Sequence, residues 1–506
     1  MYRKIIYTAI FSALFLTACS SINPLGNAKS DVKNTSEIPA DWINKYADRA
    51  QKHKNDWWRN FGNAKLNSLI EEALANNQDL AASAIAWKKA RLQIDSAELD
   101  QSVSFNGSMS TSASRRFSGN QNSHSFGSGL SASYQLDLWD KLEISTQNAV
   151  WTANASAEDL LASKLSLQGE VANAYIKLVY INEKLRINAQ NLKTQERTYQ
   201  IVQSKVKYGK ASEVDRLNAE QSLASLKNSR TALIAEEKQA ENALTVLLGA
   251  APKKFAVGSA KLADFKIPKI AAEIPAELLR QRPDLRAAQY RLQNDLATIA
   301  INERDFYPDL SLSASLSAGG SLLREIFQNP AASVGASIAL PFMQYREKNL
   351  ALKSSKLQYE ADLAKFRNTL YKSFADVEDA LISLHELRLE TPQVEQRLKN
   401  ARKLAELSEV RYKVGKDALS DLLSAQQNLR SVEQEMLDNR YQHLTRSIQL
   451  YLALGGDAKE LQNDIVEINE RTNEKNKSEK EKNSKKQIDA AMQKNDNFFP
   501  NFYLGK

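Results

Sequence analysis

The sharpest chemistry in this sequence is acylation of a single thiol. Cys19 is the only cysteine in the 506 residues. It follows Leu16, Thr17 and Ala18, and small residues before a cysteine match a bacterial lipobox. A positive start at Arg3 and Lys4 and an apolar run from Ile5 to Leu16 precede it, and that run is too short to persist as a membrane span. Residues 1–18 therefore read as a lipoprotein signal peptide, cleaved before Cys19, whose thiol and amine are then acylated. Several acyl chains on one residue anchor stably, since each buried CH₂ contributes about 0.8 kcal/mol. The bland alternative is an ordinary signal peptide with a chance cysteine. One cysteine also leaves no disulfide framework and no thiolate metal cluster.

The remaining reactive residues point away from catalysis. The four histidines, His53, His124, His385 and His443, share no metal-ligand spacing. No HExxH, nucleophile elbow or P-loop occurs. The five methionines are unclustered, which argues against specialisation for copper or silver. The net charge of +8 is spread as both signs along helical stretches, and only the tail is densely charged. No basic stripe with interleaved aromatics appears, so nucleic acid is not an expected partner. The expectation is a non-enzyme without cofactor or metal.

An internal repeat organises the chain. Tyr208-Gly209-Lys210 through Ala219 and Gln221 matches Val414-Gly415-Lys416 through Ala425 and Gln427, at an offset of 206 residues. At that offset Asp215 meets Asp421, Leu217 meets Leu423, and Leu248-Gly249 meets Leu454-Gly455. Asp79-Leu80 matches Asp284-Leu285 one residue out of step. The mature chain is thus two tandem copies of one unit.

Each copy carries two alternating runs. Ser104 to Ser114 places Ser or Asn at even positions, with Val103, Phe105, Met109 and Ala113 at odd ones. Phe126, Leu130, Ala132, Tyr134, Leu136 and Leu138 alternate with Ser, Gly, Gln and Asp. In the second copy Leu310, Leu312, Ala314, Leu316 and Ala318 alternate with serines, and Val334, Ala336, Ile338 and Leu340 with small or polar residues. Period-two alternation means strands with one apolar and one polar face. Runs of about ten residues suit a membrane span, with the apolar face on lipid and the polar face on a lumen. A soluble sandwich is the competing reading. Four strands cannot close a barrel, and open edges in lipid are costly, so several chains must share one. A dimer gives eight strands and a trimer twelve.

Between the hairpins the sequence is built for long helices. No proline occurs between Pro39 and Pro252. Lys141 to Lys207 reads as one helix of about 100 Å, stopped at Gly209. Ser212 reads as an N-cap, and a helix of about 55 Å returns from Glu213 to Leu248. A shorter helix, Asp79 to Glu98, precedes the first strand. The second copy repeats the scheme: Asp284 to Asp305, then Gln344 to Lys413, a turn at Gly415, and a return to Leu454. Pro392 either kinks the second long helix or starts a new one with Thr391 as cap. Heptad-like apolar spacing makes these helices coiled-coil pairs in a cylinder wall.

The ordered motifs resemble the outer membrane efflux proteins, the TolC-like outer membrane factors, and specifically their lipidated subgroup from multidrug-type systems. The matching pieces are Asp56-Trp57-Trp58 with Phe61 and Leu66, Asn77-Gln78-Asp79-Leu80, Tyr134-Gln135-Leu136-Asp137-Leu138-Trp139, and Leu247-Leu248-Gly249-Ala250-Ala251-Pro252. Gln281-Arg282-Pro283-Asp284-Leu285, Phe306-Tyr307-Pro308 and Leu340-Pro341-Phe342 complete the series. After Phe342 the sequence reads Met343-Gln344-Tyr345-Arg346, where the family often has a glycine-containing turn.

The resemblance implies a mixed fold. A transmembrane β-barrel, four strands per chain and twelve in a trimer, continues into a long α-helical coiled-coil periplasmic tunnel, built from two tandem structural repeats. It implies an equatorial layer from inter-repeat segments, and an outer-membrane location, which Ser20 after the lipid-bearing Cys19 also favours. It implies a homotrimer that contacts outer-membrane lipid and works with a periplasmic adaptor and an inner-membrane pump, as the passive exit duct of a tripartite efflux pump. It places a periplasmic gate at Asp421, with a second ring position on Ser424, which is not acidic, and a linked pair at Asp215 and Tyr412. A basic partner found in some members falls on Asp417. The helix-turn tips for adaptor docking are Gly209, Lys210, Gly415 and Lys416. The plain reading of both aspartates is a first-turn acid favoured by the helix dipole.

These expectations divide the chain into the signal peptide 1–18, an anchored linker 19–62, repeat one 63–252, an inter-repeat linker 253–282, repeat two 283–458, and a charged, disordered tail 459–506. Alternatives are the outer-membrane channel of a type I secretion system, or a periplasmic coiled-coil scaffold lipoprotein without a pore.

Overall fold

The computed structural model describes Trp42 and residues 56–116, 121–255, 258, 260–270, 281–327 and 330–456. Cys19, the signal peptide and the tail from residue 457 onward lie outside the described residues. Helices α1 (Ala64–Asn76) and α2 (Gln78–Leu99) lead to strands β1 (Ser104–Arg116) and β2 (Gln121–Leu136). The long helix α3 (Lys141–Lys207) follows and α4 (Glu213–Leu247) returns. The second copy runs α5 (Pro283–Arg304), β3 (Asp309–Gly320), β4 (Ala331–Ala339), the long α6 (Tyr345–Lys413) and α7 (Leu419–Ala453). At 1.5 Å per residue each long helix spans about 100 Å.

The two hairpins, far apart in sequence, join in one antiparallel sheet ordered β1-β2-β3-β4. Register puts like with like across the β2–β3 seam: Leu130 faces Leu316, Ser131 faces Ser315, Ala132 faces Ala314 and Tyr134 faces Leu312. One face is therefore apolar and the other serine-rich, as a strand period of two requires. Among the described residues nothing covers the apolar face: Phe105 is 82% exposed and Val334 89%. On the other face serine hydroxyls pair across strands, Ser112 with Ser125 at 2.8 Å and Ser315 with Ser333 at 2.8 Å. The outer edges of β1 and β4 have no partner strand within the sheet. Among the described residues no helix is long and apolar enough to cross a membrane.

A collar fixes the sheet to the helices and explains two motifs. Trp139 stacks on Tyr307 at 5.0 Å and donates from Nε1 to the Pro308 carbonyl at 2.8 Å. Arg304 donates to the Trp139 carbonyl at 2.7 Å, and Asp305 pairs with both Lys141 and Lys348.

The short helices stack end to end through one side chain each. Asn77 caps α2 by accepting from the Leu80 N–H at 2.9 Å, while its amide donates to the Leu247 carbonyl at the end of α4 at 3.0 Å. In the second copy Arg282 takes that place, donating to the Ala453 carbonyl at 3.0 Å and pairing with Asp284. Both joints satisfy carbonyls that a helix end leaves orphaned.

The largest apolar core lies midway along the long helices. It joins Trp57, Phe61 and Leu66 to Tyr175 and Ile176 of α3, Val377 of α6, Tyr451 of α7, and Leu262 and Phe265 of the inter-repeat segment. Trp57 stacks on Tyr451 at 5.2 Å and donates to Gln168 at 3.1 Å.

Pro392 neither ends nor restarts a helix: α6 is continuous through it. Thr391 caps nothing. Its hydroxyl donates back to the Leu387 carbonyl at 2.7 Å and lies 3.1 Å from His443. The neighbouring α7 thus places Asn439 and His443 against the residue before the proline.

Candidate functional site at the two hairpin tips

Two helical hairpins end in turns of the same design. Gly209 has φ +67° and Gly415 φ +78°, the left-handed region that glycine enters without penalty. At each turn the last carbonyls are satisfied in a Schellman arrangement: Gly209 and Lys210 donate to Val206 and Lys205, and Gly415 and Lys416 donate to Tyr412 and Arg411. Gly209, Lys210, Gly415 and Lys416 are all exposed.

The acids sit at the third position of each returning helix. Ser212 caps α4 by accepting from the Asp215 N–H at 3.1 Å, and the Asp215 carboxylate accepts from the Ser212 N–H at 2.9 Å and its hydroxyl at 2.8 Å. This is a full capping box. At α7 the cap is Ala418, which has no hydroxyl, so Asp421 supplies only the return half, accepting from the Ala418 N–H at 3.2 Å. Asp421 and Ser424 are both exposed, one turn apart on the same helix face.

Tyr412 is 6% exposed in a small apolar cluster that joins the hairpins, with Val202 and Ala219 from one and Leu419 and Leu422 from the other. Its hydroxyl has no hydrogen-bond partner. Asp215 acts on it through space: burial, then the Asp215 charge, push the phenol up. The structure therefore brings Asp215 and Tyr412 near one another without a direct bond. Asp417 takes a basic partner from within its own hairpin. Arg411 donates to both its oxygens at 2.9 and 2.8 Å and holds its carboxyl below the usual carboxylate range.

One contact was not anticipated. Lys205, near the end of α3, donates to the Tyr412 carbonyl at 2.9 Å, and its ammonium lies 3.9 Å from the centre of the Tyr412 ring. Gln426 adds a second link between hairpins, donating to Thr198 at 3.3 Å. The signal for Lys205 lay in the repeat. It aligns with Arg411, but Ala211 stands where the second copy has Asp417.

Among the described residues no cluster of side chains could hold a metal ion. What the tips offer is a set of hydrogen bonds and apolar contacts between the two helical hairpins.

Comparison with known proteins agrees with this architecture. Residues 69–250 and 274–456 each match the outer membrane efflux protein family, one match per repeat. The pyoverdine export outer membrane protein OpmQ of Pseudomonas putida is 29% identical over 88% of this chain and 96% of its own length. The toluene efflux pump outer membrane protein TtgC of Pseudomonas putida is 30% identical over 79% of this chain and 84% of its own. The open state of the MtrE outer membrane channel of Neisseria gonorrhoeae superposes with a TM-score of 0.74 at 26% identity, covering 84% of this chain and 96% of that one. This chain belongs to the outer membrane efflux protein family, whose members are channels rather than enzymes.

Proposed function

We propose that three copies of this chain close one twelve-stranded barrel, and that the duct passively conducts small organic molecules handed to it by a periplasmic adaptor and an inner-membrane pump. The observation that supports this best is the β2–β3 seam. It makes one four-stranded sheet with a serine face and an uncovered apolar face, at one end of two helices of about 100 Å. An uncovered apolar sheet face suits lipid, and a serine face suits a wet lumen. The relatives' pyoverdine and toluene point to small organic cargo.

In this reading acyl chains on Cys19 add an anchor. Asp421 rings the closed tip and disfavours anions there, because three carboxylates near one axis repel. Asp215 and Tyr412 steady the neighbouring hairpin. The exposed turns at Gly209, Lys210, Gly415 and Lys416 receive the adaptor. Energy comes from the pump. Repeat one is residues 63–252 and repeat two 283–458, with the 253–282 linker between them.

The test is accumulation of a fluorescent dye in cells with the gene deleted and then restored. Deletion should raise intracellular dye and restoration should lower it again. Unchanged accumulation across a panel of dyes and antibiotics would contradict small-molecule efflux.

A further inference from the structure

The two hairpin tips are pseudo-equivalent, yet they dispose of the same base differently. At an offset of 206 residues Lys205 aligns with Arg411, and both sit near the end of a long helix. Arg411 finds Asp417 six residues on and forms a bidentate pair within its own hairpin. The first copy has Ala211 at that place. Lys205, with no acid on its own turn, crosses to the second hairpin and meets the last turn of α6.

The landing point is suited to a cation. The Tyr412 carbonyl belongs to the final turn of α6, where backbone dipoles leave partial negative charge. It already accepts from Gly415 at 3.1 Å, and Lys205 takes its second lone pair at 2.9 Å. The ammonium also lies 3.9 Å from the Tyr412 ring centre, within reach of the ring's negative face. The Lys205 side chain is half-buried, so these contacts are less screened than at an open surface. Tyr412 is itself packed in the apolar cluster that spans the hairpins. Lys205 therefore bonds to a residue that packs in the joint and lies in the last turn of the second long helix.

We propose that Lys205 is a positioning residue for the closed tip: a clamp, through Tyr412, that holds the two hairpins of one protomer together and must let go before they separate. The proposal rests on the reading of the tip as the closing end of a duct, and the experiment separates the two.

The full-length protein, purified from membranes, is placed in planar bilayers without adaptor or pump, and single-channel open time is recorded. The variants are Lys205→Met, which keeps the stem and removes the charge, Lys205→Arg, which keeps the charge and the donors, and Ala211→Asp, which gives Lys205 the partner that Asp417 gives Arg411. Lys205→Met should raise the open-to-closed ratio on the order of tenfold, the factor that about 1.4 kcal/mol sets. Lys205→Arg should stay close to the parent. Ala211→Asp should open the tip with Lys205 still present, and it stands in for Lys205→Met should that variant fail to reach the membrane. Merely loosened packing would not be rescued by arginine or reproduced by Ala211→Asp. A parent channel that is mostly closed, with Lys205→Met equally closed, would overturn the clamp and leave the duct intact. A parent that forms no channel would overturn the duct and the clamp with it.

Discussion

Glu158 has no solvent exposure in the wall between α3 and α5. One carboxylate oxygen takes a hydrogen bond from Arg286, and the other has no partner. Burial pushes its carboxyl up to about 7, against the pull of Arg286 and with a small push from Asp159. A folded value above the ordinary 4.5 means that the neutral form suits the fold. The stability this group contributes is full below about pH 4.5 and is lost as pH rises through about 7, on the order of 3 kcal/mol in all. The melting temperature of the detergent-solubilised protein should therefore fall across that window, and Glu158→Gln should flatten the fall. An equal slope in the variant would contradict the assignment. Asp421 gives a second test at this scale. Replacement by Asn keeps the shape and removes three charges from the tip of a trimer. The cation-to-anion permeability ratio in bilayers should drop toward one, and an unchanged ratio would mean that Asp421 is only a helix cap.

At the scale of elements, the boundaries were open to sequence reasoning because their causes are local. The helix expected over Lys141–Lys207 has those bounds, since no proline lies within it and Gly209 follows it. Ser212 caps α4 as its residue type implies. Pro392 was ambiguous because its outcome depends on what packs beside it. Asn439 and His443 of α7 engage Thr391, and nothing near Pro392 in the sequence announces them. The repeat marks Lys205 as a base without a local acid, but its target, like that of Arg282, was hidden, because a backbone carbonyl has no residue type to read. The turn at Gly415 can be tested alone. A Cβ there would meet open space, so Gly415→Ala carries only the cost of a left-handed backbone, about 1 to 2 kcal/mol. Hydrogen exchange should speed up over residues 411–419 while the middle of the molecule keeps its protection. Slowed exchange at the turn would contradict the helix-stop account.

For the whole molecule, alternation revealed the faces of each strand but not which hairpin pairs with which. That pairing is set by long helices bringing β2 beside β3. The sheet makes a directional prediction. Arg in place of Leu316, on the apolar face, should cost about 2 to 4 kcal/mol in lipid and block assembly. Arg in place of Ser315, one residue away on the opposite face, should be tolerated. Outer-membrane levels of the two variants measure this, and the reverse order would turn the sheet inside out. We read this sheet as one third of a closed wall, because among the described residues the edges of β1 and β4 have no partner strand and unpaired edges do not persist in lipid. Native mass spectrometry of protein extracted from the outer membrane counts the chains that share the wall. The expected species is a trimer, with lipid mass on each Cys19. A monomer or dimer would contradict the twelve-stranded duct and leave a helical scaffold in its place.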